Sequence, residues 1–378
     1  MNADLAPPSA SRRLCALCAV SLLLAAGPAG AQGFAGLGQA AEGFEPVRPG
    51  PFAFPRDHGA HPGFRIEWWY VTANLKDAEG TDYGIQWTLF RSALSPGGTH
   101  PDGGWATPQA YLGHAALTTR EAHYTAERLA RGGIGQAGVT AMPFEAHIDD
   151  WRLAGPSLRD VTLTARGERF GYELEMTAGG PFVAQGDEGY SVKAADGMAS
   201  RYYSQPFYEV HGTLMLPAGT QTRGNGNGNA PPAAIREVAV TGQAWLDREW
   251  SSQPLSPGQS GWDWFSLHFD DGTRLMTFRL RDETQDDFAS ATWIAADGTP
   301  TPYRGDAISL TPLAASTVAG REVPTQWRLT LPERGVDIEV AALNPQSWMD
   351  LGFSYWEGPV TATGSHAGMG YLEMTGYE

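Results

Sequence analysis

The sequence predicts an all-β protein built as two antiparallel β-barrel or sandwich domains packed together. Three observations carry that expectation. Glycine (47) and proline (27) are abundant, and all 13 tryptophans lie beyond residue 31, which is the composition of a turn-rich, aromatic-rich β chain. Short runs of alternating apolar and polar residues recur, whereas no long segment holds a helical period. One hairpin pattern also occurs twice. Trp69-Tyr70, an acidic turn at Asp77–Gly80 and Phe90-Arg91 are echoed by Trp264-Phe265, Asp271-Gly272 and Leu280-Arg281.

Residues 1–31 read as a secretory signal peptide rather than as part of the fold. Arg12 and Arg13 form a basic start, Leu14 to Ala26 an apolar stretch too short to span a bilayer, and Ala29-Gly30-Ala31 a small-x-small cleavage site. Cleavage after Ala31 implies a periplasmic or secreted protein. Both cysteines, Cys15 and Cys18, fall in this leader, so the mature protein is expected to rely on its cores without disulfides. No later run approaches about 18 apolar residues, so no transmembrane segment is expected after signal cleavage.

Residues 32–56 are rich in Gly, Ala and Pro and read as irregular. Arg65 to Leu75 is the first expected strand, with its turn at Lys76–Gly80. Tyr83, Ile85, Trp87 and Leu89 then alternate with Gly84, Gln86 and Thr88, the pattern of a half-buried strand. Strand-like runs at 110–119, 143–152, 160–166, 170–177 and 207–216 complete an N-terminal domain over 57–223. The Gly/Asn/Pro stretch 224–234 reads as a flexible loop or linker. Runs at 236–246, 262–269, 274–281, 290–295, 326–331, 336–341 and 355–363 then make a C-terminal domain over 235–378. Asp271-Gly272 and Asp297-Gly298 mark two of its hairpin turns.

The formal charge of the chain is −16, and losing the leader's Arg12, Arg13 and Asp4 takes it to −17. Such a surface repels nucleic acid and anionic membranes. There is no Gly-x-Ser-x-Gly elbow, His-Glu-x-x-His, phosphate loop or dinucleotide fingerprint. No cofactor is called for. Asp57-His58-Gly-Ala-His61 offers a carboxylate and two imidazoles, but no second cluster completes a metal site, and no metal is expected.

The most informative stretch is Gly242-Gln-Ala-Trp-Leu-Asp-Arg-Glu-Trp-Ser-Ser252, followed by Gly261-Trp-Asp-Trp-Phe265. Charges among tryptophans are expensive to bury, so they call for a reason. On an extended chain Trp245, Asp247 and Glu249 share one face, and Leu246, Arg248 and Trp250 the other. Paired carboxylates suit acid/base work, including glycoside cleavage. They equally suit a structural ion pair with Arg248 or Arg236. In Glu67-Trp-Trp-Tyr70, Glu67 and Trp69 share a face, as do Trp68 and Tyr70; the segment is either a pocket wall or an aromatic core strand. His114, His211 and His268 stand alone on strands, as satisfied core or rim histidines often do.

These residues bring the chain close to a known family. From about His58 to Glu378 it resembles the AttH-like proteins and carotenoid 1,2-hydratase, a two-domain lipocalin-like family. The resemblance rests on Phe64-Arg-Ile-Glu-Trp-Trp-Tyr-Val71, Phe90-Arg91, His114-Ala-Ala-Leu117, Tyr202-Tyr-Ser204, the two tryptophan motifs above, Tyr355-Trp-Glu-Gly358 and Gly370-Tyr-Leu-Glu-Met-Thr-Gly-Tyr377. The resemblance implies a cavity for an apolar ligand, and it aligns Asp247 with the acid of the hydratases' Tyr-x-Asp motif. Trp245 stands where that motif has tyrosine, and Thr213 in His211-Gly-Thr213 where another motif has tryptophan. The Asp-Arg-Glu-Trp-Ser-Ser form is closer to the AttH branch.

Two functional readings follow. In the first, an exported enzyme hydrates or cyclises an isoprenoid or polyene, with Asp247 as proton donor, Trp245 and Trp264 as the rings that face the cation and Glu249 holding water. Its ligand contacts would be Glu67, Trp68, Trp69, Tyr70, His114, His211, Trp250, Trp262 and Trp264. In the second, a non-catalytic protein carries a lipid-like ligand, as an accessory of an envelope ABC-type permease. A secreted glycosidase is a third, weaker option.

Overall fold

The computed structural model describes residues 42–97, 107–133, 135–218, 234–253, 255–256 and 258–377. The proposed leader, 1–31, and nearly all of the proposed linker lie outside the described residues. From Glu42 the chain runs without strands, apart from a single 3-10 turn at Arg56–His58, until the first sheet begins.

Thirteen strands form that first sheet: β1 Ile66–Lys76, β2 Asp82–Ala93, β3 Gln109–Thr118, β4 His123–Arg131, β5 Ala137–Ala141, β6 Phe144–Ile148, β7 Trp151–Ser157, β8 Asp160–Arg166, β9 Gly171–Ala178, β10 Val183–Ala184, β11 Tyr190–Val192, β12 Ala199–Pro217 and β13 Ile235–Ser251. The main path is β4-β3-β2-β1-β13-β12-β9-β8-β7-β6-β5, with the short β10 and β11 pairing to β12. Every pairing is antiparallel and most link neighbours in sequence, as hairpin-rich sequences favour. The sheet curls into a nearly closed barrel around Trp69, Val71, Ile85, Trp87, Leu174 and Leu246. Gly113 permits the closure: a Cβ there would sit 2.8 Å from Ile148 and 3.2 Å from Trp151 across the barrel.

The second sheet has ten strands: β14 Gln259–Phe269, β15 Arg274–Asp282, β16 Phe288–Ile294, β17 Pro300–Arg304, β18 Ser309–Val318, β19 Arg321–Leu331, β20 Val336–Ala342, β21 Trp348–Met349, β22 Tyr355–Gly364 and β23 Gly368–Met374. Its order is β17-β16-β15-β14-β23-β22-β20-β19-β18, an open half-barrel over its own apolar core. The two sheets belong to one compact unit. Between them lies a third apolar cluster that includes Tyr70, Tyr202, Trp245, Trp264, Phe278 and Tyr355. Gly84 of β2 lets the sheets approach, since a Cβ there would meet Pro359 and the Tyr371 hydroxyl at 2.6 Å.

The hairpins expected from sequence form for a local reason. Asp77 Oδ1 accepts the backbone N–H groups of Glu79 and Thr81, at 3.1 and 2.8 Å. Asp271 and Asp297 likewise accept from Thr273 and Thr299, at 2.9 Å each. The duplicated pattern falls on the first hairpin of each sheet. In both, a buried carboxylate faces an arginine across the strands: Glu67 opposite Arg91, and Asp263 opposite Arg279.

One boundary differs from the sequence reading. Residues 235–251 do not open the second domain; they form β13, pair with both β12 and β1, and complete the first sheet. The Gly/Asn/Pro stretch therefore connects two neighbouring strands of one sheet, and the second sheet starts at Gln259.

Candidate functional site

The period-2 alternation of β13 decides what faces what. Trp245, Asp247 and Glu249 point toward the second sheet, while Leu246 enters the barrel core. A cavity of about 610 Å³ opens between the sheets, within the size range of sites for drug-sized ligands. Asp247, Glu249, Trp68, Tyr70, Trp262 and Trp264 line it, so six residues singled out in the sequence converge here. Phe90, Leu112, Leu94 and Phe353 supply an apolar end.

Asp247 is 2% exposed. Its carboxylate accepts hydrogen bonds from Ser204 Oγ at 2.5 Å and Trp245 Nε1 at 2.6 Å on one oxygen, and from Tyr202 Oη at 2.5 Å on the other. Trp264 Nε1 donates to the same Tyr202 oxygen at 3.1 Å, which fixes the tyrosine proton toward Asp247. Donors of this kind favour the charged form, whereas burial and a second carboxylate oppose it. Burial wins: loss of hydration, aided by nearby Glu249, lifts the Asp247 carboxyl to about 7 against the three hydrogen bonds. Asp247 thus holds a proton near neutral pH beside an aromatic wall. A bulge in β12 between Gln205 and Tyr208 lies next to it, and Pro206 O at the bulge is gripped by His268 and Arg274 of the second sheet, at 3.1 and 2.6 Å.

Glu249 is committed elsewhere. It pairs with Lys193 Nζ at 2.8 Å and accepts from Ser200. The lysine ammonium also lies over Phe278 at 4.2 Å and Tyr202 at 4.9 Å. Both bonds to Glu249 fall on Oε1, so a water held by Glu249 would have to sit at Oε2.

The second sheet adds two carboxyls that the motif analysis quoted without assigning. Glu373 lines the cavity and accepts from Trp262 Nε1 at 2.5 Å; burial raises it to about 7, helped by the charges of Asp247 and Glu249. Glu357 sits directly opposite Glu373 across β22 and β23 and accepts from Tyr70 Oη. Burial, with the Glu373 charge, pushes Glu357 well above the ordinary carboxyl range. Two like charges directly opposed would destabilise the ladder, so protonation is what makes the pair tolerable.

The remaining sequence-based ligand contacts lie elsewhere. Glu67, Trp69 and Trp250 occupy the opposite faces of β1 and β13 and turn away from the cavity. Glu67 is fully buried and ion-paired to Arg91 and Arg248. The Arg248 guanidinium lies 3.8 Å over Trp69, and Trp250 stacks on His61 at 3.9 Å. His211 is exposed and paired with Glu175 at 3.0 Å. His114 lies behind the wall, hydrogen-bonded to Tyr355 Oη at 2.9 Å and Glu127 at 3.1 Å. Trp245 is fully buried and reaches the site only through its bond to Asp247. Among the described residues, no group of three or more His, Cys, Asp or Glu is arranged to hold a metal ion. No helix among them is long and apolar enough to cross a membrane.

With this geometry in hand, comparison with known proteins places the chain. Residues 45–377 match the model of the AttH-like family. The chain belongs to the AttH-like family. The crystal structure of a candidate AttH from Nitrosomonas europaea is 32% identical with a TM-score of 0.75, the alignment covering 88% of this chain and 99% of that one. Kievitone hydratase from Nectria haematococca shares the fold at 14% identity and a TM-score of 0.61, covering 88% of this chain and 98% of the hydratase. CghA, solved with Sch210972, shares it at 13% and 0.52, covering 90% of this chain and 98% of CghA. No curated protein sequence matches. The two tryptophan motifs, the Tyr355-Trp-Glu-Gly358 motif and the Gly370–Tyr377 motif each contribute residues to the same cavity.

Proposed function

We propose that this protein binds an isoprenoid, polyene or other alkene-bearing apolar ligand between its two sheets and hydrates it by acid catalysis at Asp247. The observation that carries this reading is a buried carboxyl, neutral near pH 7, at the wall of an aromatic cavity. Hydrating a substituted alkene requires a proton donor that is still protonated in use. Asp247 gives its proton to the less substituted alkene carbon. The resulting tertiary cation is stabilised by the faces of Trp264 and Tyr70, each by about 0.5–2 kcal/mol. Water adds to the cation and loses a proton, leaving the alcohol; the Asp247 carboxylate, ionised by the first step, takes that proton back and is ready for the next turnover. The kievitone hydratase fold supports the reading only as architecture. The Arg12-Arg13 start and the apolar run after it support export to the periplasm or beyond.

One observation favours a second, non-catalytic reading. Three donors already converge on Asp247, so its carboxyl also works as a strut between β12 and β13. A carrier serving an envelope permease needs the cavity but no proton transfer. Native mass spectrometry of the protein purified from its own envelope separates the two. A bound polyene or isoprenoid is expected; a phospholipid or fatty acyl chain would favour the carrier instead.

A further inference from the structure

The antiparallel register places one row of polar side chains across the first sheet. Glu127 of β4 pairs with His114 of β3, His114 with Thr88 of β2, Thr88 with Tyr70 of β1, and Tyr70 with Asp247 of β13. The row runs from a partly exposed carboxylate, 31% accessible at its side chain, to the buried acid. Thr88 interrupts it, and the second sheet spans that gap with Tyr355 and Glu357 of β22.

The bonds along this path have a common direction. Glu127 accepts from His114 Nε2 at 3.1 Å and His114 Nδ1 meets Tyr355 Oη at 2.9 Å. On the cavity side, Tyr70 Oη donates to Glu357 Oε1 and also interacts with Glu373. Glu357 faces Tyr355, and its Oε2 is a fully buried oxygen with no partner at hydrogen-bond distance. Tightening this join and the one between Tyr70 and Glu373 completes the chain. Loss of hydration keeps Glu357 and Glu373 protonated, and burial keeps His114 neutral against the pull of Glu127. Each group then has a proton to pass outward and a site to receive one.

We propose that Glu373, Tyr70, Glu357, Tyr355, His114 and Glu127 form a proton relay between the inter-sheet cavity and the surface at β4. In an outward transfer Glu357 gives its proton to the Tyr355 oxygen, Tyr355 gives its own to His114 Nδ1, and His114 releases its Nε2 proton to Glu127. Glu357 is left ionised, Glu127 protonated and His114 in the other tautomer. Tyr70 then passes its proton to Glu357 and takes one from Glu373. A ligand filling the cavity shuts out water, so this route lets Glu373 exchange its proton with the surface while the site is occupied. The catalytic use of the relay rests on the hydration reading above; the relay itself does not.

Deuterium exchange of the buried carboxyl protons, followed by infrared spectroscopy on the full chain, tests the relay without any turnover. Tyr70→Phe is the background, because it cuts the arm toward the cavity and leaves the His114 arm as the path to Glu357; a Glu357→Gln variant identifies the band. In that background His114→Gln, which keeps hydrogen bonds but cannot exchange tautomers, is expected to slow Glu357 exchange at least tenfold, and Tyr355→Phe to do the same. Glu127→Gln, at the partly exposed end of the path, carries the same expectation if either core variant fails to fold. Exchange at the background rate in the folded variants would overturn the relay. A protein that exchanges as expected but hydrates nothing would instead count against the hydration reading alone.

Discussion

Replacing Asp247 by Asn is expected to abolish turnover while leaving ligand binding within about threefold. A positioned general acid contributes about 10²–10⁴-fold. Asparagine keeps the shape, and its one carbonyl oxygen can still accept from Trp245 and Ser204 while its NH2 replaces the oxygen that faces Tyr202, yet it has no acidic proton to give. The loss in kcat/KM on an isoprenoid alkene is therefore expected to be at least about a hundredfold, with the change confined to kcat. The pH dependence has a definite sign. Asp247 must be protonated, and its carboxyl is raised to about 7, so activity is full below that value and falls as the pH climbs through it. Retained turnover in the Asn variant would remove Asp247 from the chemistry, and with it the enzymatic reading built on this site.

Glu67→Gln should have the largest effect on stability and little on binding. Glu67, Arg91 and Arg248 are all fully buried, and the carboxylate is what compensates the two guanidiniums. Breaking a buried ion pair by removing one partner costs about 3–5 kcal/mol, because the remaining charge stays out of water. Arg91 keeps backbone acceptors at His61 and Phe64, at 3.0 and 2.8 Å, which moderates the loss without cancelling it. Despite burial, the two arginines hold Glu67 well below the ordinary carboxyl range. The sign follows by linkage: this stabilisation is full above the unfolded carboxyl value of about 4 and is lost progressively as the pH falls from there through the much lower folded value. Urea unfolding of the variant at pH 7 checks the magnitude, and ligand titration checks that the cavity is untouched. An unchanged midpoint would mean that the cluster is dispensable.

The parts of this protein that were legible in the sequence share one property: they depend on local spacing. Alternation places Trp245, Asp247 and Glu249 on one face and Trp68 and Tyr70 on another, and side chains in the Asp-turn segments fix the hairpins. The same alternation is silent about which face meets the cavity. Glu67 and Trp69 were grouped with Trp68 and Tyr70 as ligand contacts, although neighbours on one strand necessarily point to opposite sides. Glu357 and Glu373 were not recognisable as partners of Asp247. Each is a single carboxylate in an apolar strand, more than a hundred residues away, and only the packing of β22 and β23 against the first sheet brings Glu373 to the cavity and Glu357 to Tyr70. The signal that could have found them is that same isolation: a lone acid inside an aromatic strand has a high cost unless something offsets it. Composition says nothing about the pairing of the flanking strands, so the place of β13 beside β12 and β1 is visible only in the structure.

The central claim is that Asp247 carries a proton at neutral pH within the cavity. It is tested most directly by following the Asp247 carboxyl carbon by NMR in protein labelled with 13C at aspartate, using Asp247→Asn to identify the signal. A titration midpoint near 7 is predicted. A midpoint at or below about 4, the ordinary range for aspartate, would show that the three hydrogen bonds outweigh burial, and Asp247 would then be a structural strut rather than an acid.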